Sequence, residues 1–131
     1  MPDPVNPPLG TVAWNELMTT DPEKGAEFYT GLTGWTVSKV DMGAMGFYYL
    51  FKRGERNAAG MMKHPDPSQR PGWTPYVAVA SADASAARAA ELGATVIVPP
   101  TDIEDWGRFY MALDPTGAVF AALENKKPMG G

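Results

Sequence analysis

Hydrophobic and polar positions change period along the first half of the chain. Apolar and polar residues alternate over 11–18, as in a β-strand that buries one face. Apolar residues then recur at helical spacing over 26–32, and Gly34 ends that run. Alternating or aromatic-rich stretches follow at 35–40, 45–54 and 56–63. The first half is therefore predicted to fold as strand, helix, strand, strand, strand.

The predicted helix carries signals at its start. Thr20 or Asp21 can act as N-cap, because a short oxygen-bearing side chain can accept from the free N–H groups of the first turn. Pro22 suits the first helical position, where a missing N–H costs nothing, and Glu23 follows it. These residues place the start of the helix near residue 22.

After a proline-rich stretch the same order of elements begins again. Residues 64–72 contain three prolines and no apolar residue, which predicts a linker. Residues 73–81 predict a strand, 82–93 a helix ended by Gly93, and 94–124 three further strands. At an offset of 62 residues Trp14 falls on Tyr76 and Asp21 on Asp83. We therefore predict an α+β fold of two βαβββ modules.

The predicted organisation has five parts along the chain. An extended N-terminal arm over 1–10, with four prolines, precedes the modules. The first module covers 11–63, the linker 64–72 and the second module 73–124, and a C-terminal tail covers 125–131. With 131 residues, both modules are expected to belong to one domain.

Composition and charge narrow the classes of partner. The chain has 11 basic and 15 acidic residues, a formal net charge of -4, and no basic run longer than Lys126-Lys127. We therefore expect no nucleic-acid partner and no membrane partner, and a small molecule as ligand. The absence of a long apolar stretch and of a secretion signal predicts a cytoplasmic protein. No cysteine is present and His64 is the one histidine, so cysteine nucleophiles and sites with two imidazoles are excluded within this chain.

Two motifs carry a resemblance to a known superfamily. The run D-P-x-x-x-x-x-F-Y-x-x-L-x-G-W covers 21–35, and F-Y-M-A-L-D-P-T-G-A-V-F covers 109–120. With the doubled βαβββ order, they resemble the vicinal oxygen chelate superfamily, which includes glyoxalase I, bleomycin-resistance proteins and extradiol dioxygenases. The resemblance implies a curled sheet around a cleft with the helices on the outside. By analogy with the superfamily, it also implies a homodimer.

The resemblance further implies four positions that supply metal ligands in metal-dependent members. Here these positions are Trp14, Ala58, Tyr76 and Ala121. Tryptophan and alanine side chains offer no donor lone pair, and phenolate is an uncommon ligand for zinc, nickel or manganese. We therefore expect no metal site and no cofactor.

Several residues of the first strand are candidates for ligand binding, and each has a plain alternative. Trp14, Glu16 and Met18 share one face of the predicted strand. Trp14 could stack on a flat or cationic ligand or be an ordinary core residue. Glu16 is the candidate acid, base or cation anchor, and the alternative is an edge residue that reaches solvent. No catalytic role is assigned beyond this candidate.

Further candidates lie outside the first strand. Tyr76 would line the cleft with the small side chains Ala58 and Ala121 beside it. Met62, like Met45, Met61 and Met111, could line the site or fill the core. Arg108 could clamp a carboxylate or a phosphate, or instead form a surface ion pair with Glu104 or Asp105.

The sequence thus favours a metal-free member of the superfamily that binds a small, aromatic or cationic compound. The alternative is a lyase, dioxygenase or hydroxylase-type enzyme of the same fold. Because the usual metal ligands are missing, the sequence does not decide whether a reaction is catalysed.

Overall fold

The structure, a computed structural model, describes residues 7–43, 46–64, 68–103 and 106–126. The roles considered for Met45, Glu104 and Asp105 lie outside these residues. So do residues 1–6 of the predicted arm, 65–67 of the linker and 127–131 of the tail.

The described residues form eight strands and two helices in the predicted order, which confirms the α+β class and the two βαβββ modules. The first module consists of β1 (Val12–Thr19), α1 (Pro22–Thr33), β2 (Thr36–Asp41), β3 (Phe47–Arg53) and β4 (Arg56–Lys63). The second consists of β5 (Gly72–Ala78), α2 (Ala82–Glu91), β6 (Thr95–Ile103), β7 (Gly107–Leu113) and β8 (Val119–Asn125).

Contacts divide the described residues into two compact units. The first unit comprises 15–73, and the second comprises 7–14 together with 74–126. The division therefore falls within β1, after Trp14, and at the start of β5, after Trp73. Residues 11–14, which the sequence assigns to the first module, pack with the second unit.

The first unit is a sheet with α1 against one face. Its strands follow the order β2-β3-β4-β1, and β1 runs parallel to β4. The core beneath α1 is made of buried apolar side chains from the helix and three strands: Leu17, Ala26, Tyr49, Phe51, Ala59 and Met61. Gly25 allows close packing of α1, because a Cβ there would come within 2.9 Å of Met61 Sδ. One face of this sheet thus packs against α1.

The ends of α1 follow the sequence signals. Asp21 is the N-cap, and its carboxylate accepts from Lys24 N at 3.1 Å. Gly34 ends the helix with φ 78°, a left-handed conformation that side chains disfavour, and its N–H donates to Thr30 O. Of the two cap candidates the structure selects Asp21.

The second unit repeats this arrangement. Its strands follow the order β5-β8-β7-β6, with β5 parallel to β8. The core beneath α2 is made of buried side chains: Ala82, Ala86, Tyr110, Ala112 and Ala122. The N-terminal segment joins this unit, since Gly10 N donates to Ala78 O and Ala78 N donates to Thr11 O, both at 2.8 Å. The part of the predicted arm that is described is therefore hydrogen-bonded to β5.

The internal repeat is real, but the predicted offset of 62 residues is wrong. The N-cap of α2 is Ser81, whose hydroxyl accepts from Ala84 N, and Asp83 lies in the first turn. The helices therefore correspond at an offset of 60 residues, with Asp21 matching Ser81. The strands that precede the helices agree with this, because β1 begins at Val12 and β5 at Gly72. Glu16, and not Trp14, is thus the counterpart of Tyr76.

Among the described residues no helix is long and apolar enough to span a membrane.

Candidate functional site

The face of the first-unit sheet that points away from α1 holds the main candidate site. Leu17, Tyr49 and Met61 point towards α1, and their neighbours along each strand point to the opposite face. We call this surface the Glu16 face, and it consists of Glu16, Met18, Tyr48, Leu50, Gly60 and Met62. The structure thus brings together three predicted site residues, Glu16, Met18 and Met62.

Two rows of paired residues cross the Glu16 face. In one row Glu16 lies beside Gly60, which lies beside Leu50. In the next row Met18 lies beside Met62, which lies beside Tyr48. Gly60 has no side chain, so β4 places no side chain directly beside Glu16. The face therefore combines one acid with apolar and aromatic groups.

Glu16 is buried, with 5% of its surface exposed. Transfer of a carboxylate from water into a protein interior costs several kcal/mol unless charges or hydrogen bonds compensate. Glutamate is among the residues least often fully buried. Its burial beside Met18, Leu50 and Met62 decides against the surface-edge alternative and makes Glu16 a candidate functional group.

The matching face of the second unit is apolar. It contains two rows, Tyr76 with Ala121 and Met111, and Ala78 with Leu123 and Phe109. The Tyr76 and Phe109 rings lie 6.3 Å apart at an angle of 45°. Tyr76 and Ala121 are both buried, with 5% and 0% exposed. The two predicted site residues of this face are thus neighbours in a packed layer.

Trp14 and Ala58 lie elsewhere. Trp14 is half-buried and belongs to the second unit. Ala58 packs against the core cluster beneath α1. It is the extra residue of a β-bulge, because Phe51 pairs with Ala59 whereas Lys52 pairs with Asn57. Counting along the sequence cannot detect such a bulge, and Gly60 occupies the position that corresponds to Ala121.

Arg108 is engaged in ion pairs within the second unit. Its Nε and Nη2 donate to the two carboxylate oxygens of Asp83, both at 3.1 Å, and its Nη1 donates to Asp102 at 3.2 Å. These bonds raise the pKa of the Arg108 guanidinium above its usual value. Of the two roles considered for Arg108, the structure thus shows ion pairing, with Asp83 and Asp102 as partners.

Asp102 completes this ion-pair cluster. Hydrogen bonding from Arg108, followed by the charge of Lys126, lowers the pKa of Asp102 below its usual value. Lys126 Nζ lies 3.6 Å from Asp102 Oδ1. The cluster links the first turn of α2 to the ends of β6 and β7, so Arg108 is part of the scaffold.

Two further polar residues, Glu124 and His64, form hydrogen bonds within the fold. Glu124 accepts a hydrogen bond from Ala82 N at 2.9 Å, which satisfies an N–H in the first turn of α2. His64 follows β4, and its backbone N–H donates to Thr19 O at 2.8 Å. Glu124 therefore acts as a second cap for α2.

The side chains present do not fit the metal site that the superfamily implies. Within the described ranges no group of three His, Asp or Glu side chains is arranged to hold a metal ion. In the corrected repeat Glu16 and Gly60 correspond to Tyr76 and Ala121, and these four residues include one carboxylate. A single carboxylate with a phenol and two residues without donors is a poor donor set for a divalent cation.

Tyr48, Leu50 and Gly60 also belong to the Glu16 face but were not predicted from the sequence as site residues. Their strands were predicted, but β4 lies beside β1 through pairs such as Glu16 with Gly60, which are 44 positions apart in the chain. A signal did exist, because Met62 and Gly60 alternate with the buried Met61 on β4.

Comparison with known proteins gives a consistent family assignment. A glyoxalase-like domain model matches residues 12–123. The chain is 41% identical over 115 residues to the protein named "Putative glyoxylase CFP32" of Mycobacterium tuberculosis, covering 88% of this chain and 44% of that protein. It is 35% identical over 126 residues to "Anthracycline biosynthesis protein DauV" of Streptomyces sp. strain C5, covering 86% of this chain and 46% of that protein. The chain thus spans less than half the length of these relatives.

A solved structure shares the fold. The Mn(II)-bound glyoxalase of Novosphingobium aromaticivorans superposes with a TM-score of 0.61 at 16% identity, over 94% of this chain and 42% of that one. At this identity the likeness concerns the fold alone. From the domain match and the relatives, the chain belongs to the glyoxalase-like domain family of the vicinal oxygen chelate superfamily.

Proposed function

We propose that this glyoxalase-like protein binds a small cationic, aromatic compound without a metal ion, and that the Glu16 carboxylate anchors the positive charge of that compound. The observation that carries the proposal is the burial of Glu16 to 5% exposure on the sheet face away from α1. Met18, Met62 and Tyr48 supply the apolar and aromatic contacts beside it.

The chemistry of the Glu16 face supports a cationic aromatic ligand. A desolvated carboxylate attracts a cation more strongly than an exposed one, because little water screens the interaction. Methionine side chains are flexible and polarisable, so they adapt to flat rings of different outline. The net charge of -4 favours the approach of a cation over that of an anion.

The name of a relative suggests a compound with which to test the proposal. The protein named "Anthracycline biosynthesis protein DauV" is 35% identical to this chain. Anthracyclines are flat, fluorescent polycyclic compounds, and those with an amino sugar carry a positive charge near neutral pH. A fluorescent aminoglycosylated anthracycline therefore combines the two features that the Glu16 face would recognise.

The second candidate is an enzyme of the same fold. The name "Putative glyoxylase CFP32", borne by a relative with 41% identity, supports it. In this alternative Glu16 would act as the general base or acid. The donor set described above gives no basis for a step through a metal ion. Turnover of a hemithioacetal, assayed with and without added manganese or nickel, distinguishes the candidates, and we expect no rate above the background.

Native mass spectrometry of the untagged protein, purified gently from its expression host, tests the proposal. After addition of the anthracycline, we expect a mass increase of one ligand per chain and no increment for a metal ion. A stoichiometric increment for manganese, nickel, zinc or iron in the protein as purified would contradict the metal-free proposal. Failure of the anthracycline to bind at a tenfold excess would contradict the ligand class.

A further inference from the structure

The outer strand of the first-unit sheet, β2, offers an open edge. All six residues of Thr36–Asp41 are exposed. Of the described strands, β2 pairs with β3, and their register is continuous from Thr36 with Lys52 to Asp41 with Phe47. No proline or bulge interrupts it. Every second residue of such a strand directs its N–H and C=O outward, where another strand can bind them.

The outer strand of the second unit differs in this respect. β6 contains Pro99 and Pro100, and its register with β7 shifts twice between Val96 and Thr101. Prolines and bulges are two of the means by which proteins block an exposed sheet edge, and charged side chains such as lysine are another. The edge of β6 is thus protected, and that of β2 is not protected in this way.

We propose that β2 pairs antiparallel with β2 of a second copy of this chain, about a two-fold axis at Val40. In this register Lys39 of each copy lies opposite Asp41 of the other, on the face that carries α1. Opposite charges directly across an antiparallel pair stabilise it, and the two Val40 side chains meet at the axis. An edge strand that is complementary to itself fits an isologous dimer.

The charges of Lys39 and Asp41 favour this register over the one whose axis lies one residue away. Moving the axis by one residue, to Lys39, would set the two Lys39 side chains opposite each other, which is unfavourable. Lys39 already lies on the α1 side, with its Nζ 3.6 Å from Glu23 Oε1 and 4.3 Å from the centre of the Phe47 ring. A lysine at this position rejects strands that lack a facing acid, so it gives the pairing specificity.

The proposed pairing also extends the Glu16 face. Val40 pairs with Tyr48, Tyr48 with Met62, and Met62 with Met18, which forms one row across four strands. Val40 is 41% exposed at the open end of this row. Two copies joined at Val40 would make the two rows continuous, so that the interface and the ligand-binding face share residues Val40 and Tyr48.

Charge reversal tests the register. We expect the wild type to be a dimer by sedimentation velocity at micromolar concentration. Lys39→Asp and Asp41→Lys should each weaken dimerisation at least tenfold, whereas the double variant should restore it by exchanging the charges. Far-ultraviolet circular dichroism verifies that each variant folds. A monomeric wild type, or single variants that dimerise unchanged, would overturn the proposal.

Cross-linking gives an independent test, because the chain contains no cysteine. Directly opposed residues of an antiparallel pair have Cβ atoms about 4.5–5.5 Å apart, within reach of oxidation or a short bismaleimide. We expect Val40→Cys to form a covalent dimer. Val119→Cys is the matched control, since Val119 is exposed to 43% on β8, and it should remain monomeric on a denaturing gel. A Val40→Cys variant that cross-links no faster than the control would contradict pairing at this axis.

Discussion

At the scale of single residues, Gly107 at the start of β7 lies very close to the backbone of β8. A Cβ at this position would overlap the carbonyl oxygen of Glu124, which precedes Asn125, the residue that pairs with Gly107 across the β7–β8 ladder. Backbone atoms of a paired strand cannot move aside as a flexible side chain can. The close approach of the two strands thus requires glycine at position 107. The next residue, Arg108, forms the ion pair with Asp83.

We therefore expect Gly107→Ala to lower the free energy of unfolding by about 2 kcal/mol or more, as overpacking against fixed atoms does. Gly117→Ala is the control. Gly117 has φ 94° and no atom within 4 Å of an added Cβ, so the strained backbone alone should cost about 1 kcal/mol. Urea denaturation measures both. Equal losses in the two variants would contradict the proposed overlap.

The Arg108 cluster predicts a pH effect. The hydrogen bond from Arg108 lowers the pKa of Asp102 in the folded state. This interaction therefore stabilises the fold above the pKa of Asp102 in the unfolded chain, which is about 4. The stabilisation is lost as the pH falls through the lowered value. Arg108→Met should raise the pKa of Asp102 and flatten the acid side of the stability profile.

Carboxyl ¹³C NMR of Asp102 and thermal unfolding between pH 2 and 6 measure these effects. Arg88→Met is the control, because Arg88 pairs with Glu91 at the surface of α2 and not with Asp102. An unchanged Asp102 pKa in Arg108→Met would show that the carboxylate is stabilised by other groups.

At the scale of elements, periodicity predicted the eight strands and two helices of the described residues. Elements that bury one face leave a regular apolar pattern, whereas β2 was predicted from its alternation although all six of its residues are exposed. The strand 11–18 of the prediction is Val12–Thr19 in the structure, a shift of one residue. β6 extends to Ile103 through two prolines, which an outermost strand tolerates. Local signals also predicted the α1 cap, but not the bulge at Ala58, which depends on pairing between β3 and β4.

The two cap candidates of α1 allow a direct comparison. Asp21→Ala should lower the free energy of unfolding by about 1 kcal/mol, because it removes the acceptor of Lys24 N. Thr20→Ala, at the neighbouring exposed position, should change it by less than about 0.5 kcal/mol. Chemical denaturation of both variants measures the difference. A larger loss from Thr20→Ala than from Asp21→Ala would show that Thr20, and not Asp21, caps α1.

At the scale of the whole molecule, long-range pairing determines what the sequence could not. The repeat was visible, but its offset follows from Ser81 as the cap of α2, and the place of Gly60 in the site follows from its pairing with Glu16. Neither follows from local pattern, because Asp83 is an equally plausible cap by sequence. The same pairing brings Tyr48 and Leu50 to the Glu16 face, so the site was only partly predictable.

The N-terminal segment provides a test of the second unit. Ala78 N donates to Thr11 O, whereas Val79 N donates to Leu123 O within the unit. Deletion of residues 1–11 should therefore speed hydrogen exchange of the Ala78 amide at least about tenfold and leave the Val79 amide protected. Exchange followed by NMR resolves the two neighbours. Unchanged protection of Ala78 would contradict the pairing of this segment with β5.

The central claim is that the buried Glu16 carboxylate binds the positive charge of an aromatic ligand. The most direct test is a fluorescence titration, in EDTA, of an amino-sugar anthracycline and its neutral N-acyl form against three proteins. We predict that Glu16→Gln binds the amine about 10- to 100-fold more weakly than the wild type, and the neutral form with little change.

Glu55→Gln, in the exposed turn between β3 and β4, is the control for net charge and should bind both compounds like the wild type. Equal losses for the amine in Glu16→Gln and Glu55→Gln, or wild-type affinity in Glu16→Gln, would contradict the assignment of Glu16 as the anchor.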